Sequence, residues 1–249
     1  KAPTARSLSF SRNCKMPARK STKKAPTATA TNVRSVACPK CGTVLDTVVT
    51  TTLLPGSPDI KALFAGTLNR PECPHCGTLF LIDEPLVYRD TASAFIAYQV
   101  AMPDDGDTSA IEQEIDCMAT DISSREETER PTVRATFTRS DFIEKIALRS
   151  AGYDDRLVEY AKFQLFKNIP EEQLNQNRHR LLFDFSNQDE DKIVFIVFDR
   201  ELNKPVSQVH LPSSDYLALL DEFLNSPELM LELDALFPSC YVSCDRLIG

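Results

Sequence analysis

The sequence predicts an α+β protein, and three observations predict it. One hexapeptide is written twice, CPKCGT at 38–43 and CPHCGT at 73–78, and each copy runs into a β-rich stretch, TVLDTVVTTTL and TLFLIDEPLVY. Three further β-rich runs, RLLFDF, KIVFIVFD and PVSQVHL, succeed one another at hairpin spacing, which reads as an antiparallel meander. Amphipathic stretches flank that meander on both sides, so helices are expected against one face of a small sheet.

Taken in order, the chain begins with residues 1–35, rich in Ala, Thr, Pro and Lys and poor in anything that builds a core. This stretch is expected to be a disordered basic tail. It holds nine of the 28 basic residues and no acid; the other 19 stand against 36 acids, which leaves −17 on residues 36–249. A body so acidic repels nucleic acid and anionic membrane, so any contact with nucleic acid is expected through the tail only. The chain has no apolar run of eighteen residues and no apolar signal-peptide core at its start. A cytoplasmic protein without a membrane span is expected.

Residues 36–102 hold the two hexapeptides. Each places two thiols at C-x-x-C spacing, and two such pairs supply the four thiolates of a closed tetrahedral metal site. Pro39 and Pro74 fix their own φ and offer no N–H, leaving the donors of the next residues free to face the first sulfur of each pair. Gly42 and Gly77 permit the positive φ at which the chain leaves each turn. The expected ligands are Cys38, Cys41, Cys73 and Cys76, and the expected ion is one zinc per chain; iron in the same tetrathiolate stays open. Disulfides and a redox C-x-x-C are the competing readings. A reducing compartment argues against the first, and a β-rich rather than helical continuation against the second. Val44–Leu53 reads as a strand, DIKALFAGTL as a short helix ended by Gly66 or Asn69, and TLFLI, PLVY and SAFIAYQVA as strands. A unit of this size needs a staple, which makes it a zinc-ribbon-like β module.

CPKC and CPHC, the intervening PDIKALFAGTLNRPE and the later PLVYRD resemble the CpXC domain, named for two C-P-x-C motifs. Residues 36–102 carry the resemblance most specifically, and DFIEKIALRSAGYDDRLVEYAKFQLF resembles the segment commonly found C-terminal to the module in such proteins. The resemblance implies a zinc-binding module and no established activity.

Residues 103–131 carry ten acids and two basic residues and are expected to be an acidic linker with a weak helix over 111–118. Residues 132–249 are expected to form a separate α+β domain. TVRATFT opens it as a strand; TRSD starts a helix through Gly152, and Asp154 or Asp155 starts a second. After the meander, Ser213 or Ser214 caps SSDYLALLDEFLNS, and PELMLELDALF begins with proline at its first turn.

Catalytic signatures are thin. His75, His179 and His210 read as surface histidines, paired acids sit where turns and helix starts favour them, and no phosphate-cradling or nucleophile motif occurs. Cys240 and Cys244, in an extended SCYVSC, lie too far apart for one ion and read as buried free thiols. The best-supported function is a zinc-stapled module that binds another protein. A nucleic-acid accessory protein and a thiol-dependent redox enzyme are the alternatives.

Overall fold

The computed structural model of the chain describes residues 31–126, 130–187 and 189–248. Its first two strands, β1 (Thr31–Ala37) and β2 (Val44–Thr50), form an antiparallel hairpin in register from Thr31 opposite Thr50 to Ala37 opposite Val44. The six residues between them are the first hexapeptide, so this claw is the hairpin's own loop. Residues 31–35, expected in the tail, are thus part of β1. The rest of the tail lies outside the described residues.

A second sheet has the order β3-β4-β5-β6, formed by β3 (Thr52–Leu53), β4 (Leu86–Asp90), β5 (Phe95–Gln99) and β6 (Thr132–Thr136). Between β3 and β4, helix α1 (Pro58–Phe64) starts on a Ser57 cap, and Gly66 takes the chain out at φ 69°. The expected strand TLFLI does not form. Leu79 makes a single bridge to Glu72, Leu79 and Leu81 face solvent, and the Ile82 N–H donates to the Asn69 carbonyl instead of to a ladder. Asn69 is the tie that holds this segment. At φ 56° its side chain accepts from the Thr50 N–H at 2.9 Å and donates to the Thr50 carbonyl at 2.8 Å, taking the place of a strand beside the end of β2.

Strands β5 and β6 are parallel, and parallel neighbours need a crossover. Helix α2 (Ser109–Glu126) supplies it, so the stretch expected as an acidic linker is the crossover of a βαβ unit. Its inner face repeats at helical spacing: buried Ile115 and Ala119, with Ile111 and Met118 partly buried, pack on Val133, Ala135 and Cys240. Helix α3 (Arg139–Ser150), capped by Thr138, then closes one apolar core in which Phe142 and Ile146 join Leu53, Leu63, Leu86 and Phe95. That core and the β5–β6 pairing both cross the boundary expected before residue 132. The reason is topological, since an edge strand from beyond the helix completes the first part's sheet.

The C-terminal part has the expected pattern. Helix α4 (Asp155–Asn168) is capped by Asp154, and β7 (His179–Phe183), β8 (Lys192–Asp199) and β9 (Lys204–Pro212) form the antiparallel meander. Helices α5 (Ser213–Asn225), α6 (Pro227–Leu236) and α7 (Asp245–Ile248) complete the chain. Phe195, Val197, Leu157, Tyr216, Phe223 and Leu233 share its core. The α5 cap differs from expectation: the helix begins after Pro212 without a side-chain cap, and the Ser213 hydroxyl donates to the Glu190 carbonyl at 2.8 Å. Among the described residues, no helix is long and apolar enough to cross a membrane.

Six charged side chains are buried where β6, α3 and α4 meet. Arg134 grips Asp155 with two bonds of 2.7 Å, and Lys145 lies 3.2 Å from Asp155 and 2.8 Å from Glu159. Lys162 lies 3.1 Å from Glu159 and 2.8 Å from Glu144. Three cations thus meet three carboxylates in a chain of alternating sign, the arrangement that makes burial of so many charges tolerable.

Candidate metal centre

The two claws fold alike because their sequences are alike. In the first, the Cys38 N–H donates to the Thr43 carbonyl and the Gly42 N–H to the Cys38 carbonyl, both at 2.9 Å; in the second, Cys73 bonds Thr78 and Gly77 bonds Cys73 at the same distances. Gly42 and Gly77 take φ 74° and 67°, as the exits from these turns require. In the second claw the N–H groups of Cys76 and His75 face the Cys73 sulfur, the arrangement that a proline lacking its own N–H leaves open. His75 faces solvent.

The hairpin carries one claw, Asn69 fixes the chain that leads into the other, and the four sulfurs meet. Cys38 Sγ lies 3.7 Å from Cys76 Sγ and Cys41 Sγ 3.6 Å from Cys73 Sγ, and all four lie within 4.8 Å of one another. A tetrahedral ion with metal–sulfur bonds of about 2.3 Å needs sulfur–sulfur edges of about 3.8 Å, whereas a disulfide needs about 2.05 Å. All four thiols are free. The donor set can therefore hold a metal ion, and with four sulfurs it leaves no coordination position open. Among the described residues it is the one group of metal-ligating side chains drawn together in this way.

Sequence reasoning missed two members of the site. Thr43 Oγ1 lies 3.3 Å from Cys41 Sγ, and Thr78 Oγ1 lies 3.2 Å from Cys76 Sγ. These threonines are the sixth residues of the two hexapeptides, so the signal was present in the repetition itself. As a thiolate, each second cysteine accepts a hydroxyl and a backbone N–H bond from its threonine; these lower Cys41 to about 6 and lower Cys76 as well. Support of this kind orients a ligand and tunes its basicity. Thr43→Val and Thr78→Val are each expected to weaken metal binding about tenfold or more. Competition with a chromogenic chelator measures it, and unchanged affinity in both variants removes the threonines from the site.

Cys240 and Cys244 lie apart from this cluster, buried in two different cores. Burial pushes the Cys240 thiol up to about 11 and Cys244 well above its ordinary value, so neither is poised as a nucleophile. The Cys240 carbonyl instead accepts from the Ala135 N–H at 2.9 Å on the edge of β6. His179 serves its own turn, its Nδ1 accepting from the Asn175 N–H at 3.0 Å.

Two C-P-x-C claws, one the loop of the β1–β2 hairpin and the other in the segment fixed by Asn69, define a protein with a four-cysteine cluster that can hold a metal ion. A comparison with protein-family models gives the family, described as CpXC protein, over residues 36–162, just over half of the chain. The chain belongs to the CpXC family. The match runs past the claws, through α2, β6 and α3 into α4, and so covers the same elements that share the second sheet and its core. No curated protein and no solved structure matches.

Proposed function

We propose that the four claw sulfurs hold one zinc ion as a structural staple and that the chain works by binding another protein. The observation that carries the first half is the complete four-sulfur set. A metal closed by four protein ligands has no position for water or substrate, which is the pattern of structural rather than catalytic zinc. Two knuckle turns meeting at one ion make the N-terminal part a zinc ribbon. The β1–β2 hairpin that presents the first claw exposes Val33, Val44 and Val48 and buries little of itself, so the metal supplies what its core does not.

The α5–α6 pair supports the second half. Residues 213–236 carry six acids and no Lys or Arg, and Leu217, Leu224 and Leu231 are 60%, 67% and 70% exposed. Leucines left in water beside one sign of charge fit a partner with apolar anchors and a basic rim. A pull-down from reducing cytosol-like extract, repeated without residues 1–35 and with Leu224→Glu, tests the reading. The expected outcome is one specific protein partner that survives loss of the tail and is weakened at least about tenfold by Leu224→Glu. Recovery of nucleic acid alone, lost without the tail and lost in salt, favours the accessory role instead.

A further inference from the structure

A cleft of about 750 Å³ opens at the start of β6, lined by none of the claw residues. Its walls come from five places in the chain: Ser93 and Phe95 at the start of β5, Asp116 on α2, the start of β6 with the residues before it, α3 with the turn into α4, and residues 237–242 after α6. A volume of this size is that of a small-molecule site, and junctions between packed units are where such sites form.

Its charge is opposite to that of the molecule. The chain carries −8 overall, yet Arg130, Arg134, Lys145, Arg149 and Arg156 line the cleft against Asp116, Asp154 and Asp155. Four of these cations are already matched: Arg130 with Asp116, Arg134 and Lys145 with Asp155, and Arg156 with Asp154. Arg149 is not. It is exposed, donates to the Ser93 carbonyl, and lies with its guanidinium carbon 5.6 Å from the centre of the Phe95 ring. Among the described residues no carboxylate lies within ion-pair distance of it. One guanidinium, anchored by a carbonyl and an aromatic face, keeps its remaining donors for something else. The floor beneath it is rigid, because Arg134, Asp155 and Lys145 are buried and tied to one another.

We propose that this cleft binds a small organic oxyanion, its phosphate or carboxylate on the free donors of Arg149 and its body over the cleft floor toward Val133 and Phe237. An Arg fork matches either anion in a two-point geometry, and the buried ion pairs orient the cationic field without being consumed by the ligand. The chain's own acids line the rim on Asp116 and Asp154, so polyanions are disfavoured and a single anionic group is preferred.

The test is a ¹H–¹⁵N correlation titration of the full chain at low salt with phenyl phosphate and, separately, benzoate. The expected result is saturable shifts confined to amides of 93–95, 132–134, 149–156 and 237–240 with at least one probe. Arg149→Gln, which keeps a donor for the Ser93 carbonyl but removes the charge, is expected to weaken binding at least about tenfold with no change in melting temperature. Arg200→Gln, a surface control on the turn after β8, is expected to change nothing. Saturation by phenyl phosphate alone assigns the site to phosphates, and by benzoate alone to carboxylates. Failure to saturate with both, shifts scattered over other basic residues, or equal affinity in Arg149→Gln overturns the proposal.

Discussion

Cys73→Ser is expected to abolish stoichiometric metal binding and to strip hydrogen-exchange protection from β1, β2 and residues 69–82, while β4–β6 and β8 keep theirs. Binding energy at a structural zinc site is largely folding energy, about 10 kcal/mol or more in small modules, far above what an exposed hairpin holds in reserve. Cys73 is buried and faces Cys41, so serine at that position leaves the set one thiolate short. The loss stops at the second sheet because that sheet has its own apolar support. Leu53, Leu63 and Phe142 are fully buried, and Phe142 comes from α3 rather than from the claw segments. Protection lost through β8 as well makes the metal a requirement for the whole fold. Protection lost nowhere while the metal is gone means that the claws do not staple the hairpin.

The second large effect concerns the buried charges. Glu159→Gln is expected to destabilise the chain by about 3–5 kcal/mol, read from denaturant midpoints, because it leaves Lys145 and Lys162 in the interior with one counter-charge fewer. The Glu159 second oxygen also accepts from the Cys244 N–H at 3.0 Å, so the same residue pins the C-terminal segment. Burial opposes charge on Glu159, but Lys145 and Lys162 outweigh it and hold its carboxyl at about 2; Arg134 and Lys145 likewise hold Asp155 well below the usual range. A carboxyl lowered in the folded state contributes stability that is complete above its unfolded value of about 4.3 and is lost as pH falls toward 2. Wild-type stability is therefore expected to fall between about pH 5 and pH 2, and the fall is expected to be shallower in Glu159→Gln. Parallel acid profiles in the two proteins contradict that account of the network.

How much the sequence disclosed depends on how local each cause is. The claws were legible because turn geometry and thiol spacing are fixed within six residues, and the meander because strand alternation and hairpin length are local too. Thr43 and Thr78 were in plain view, yet their role depends on hydroxyls that reach back two residues to a sulfur, which spacing rules for ligands do not record. Helix α2 was legible only as a weak helix over 111–118, and its full length, Ser109–Glu126, and its buried face were obscured by its acids. Ten acids between 103 and 131 lower the mean hydropathy, while the stripe that matters is four residues, Ile111, Ile115, Met118 and Ala119. The parallel pairing of β5 with β6 is a contact across more than thirty residues, and no short-range pattern announces it. Asp155 shows the limit most clearly. Beside Asp154, which does cap α4, it reads as one more helix-start acid, but burial against Arg134 and Lys145 gives it a different task.

Elemental analysis of the purified full chain by inductively coupled plasma mass spectrometry tests the central claim most directly. With Cys38, Cys41, Cys73 and Cys76 drawn within 4.8 Å of one another, the account predicts about one zinc per chain, lost on Cys73→Ser. A chain that carries no metal, or that carries iron in zinc's place, contradicts it.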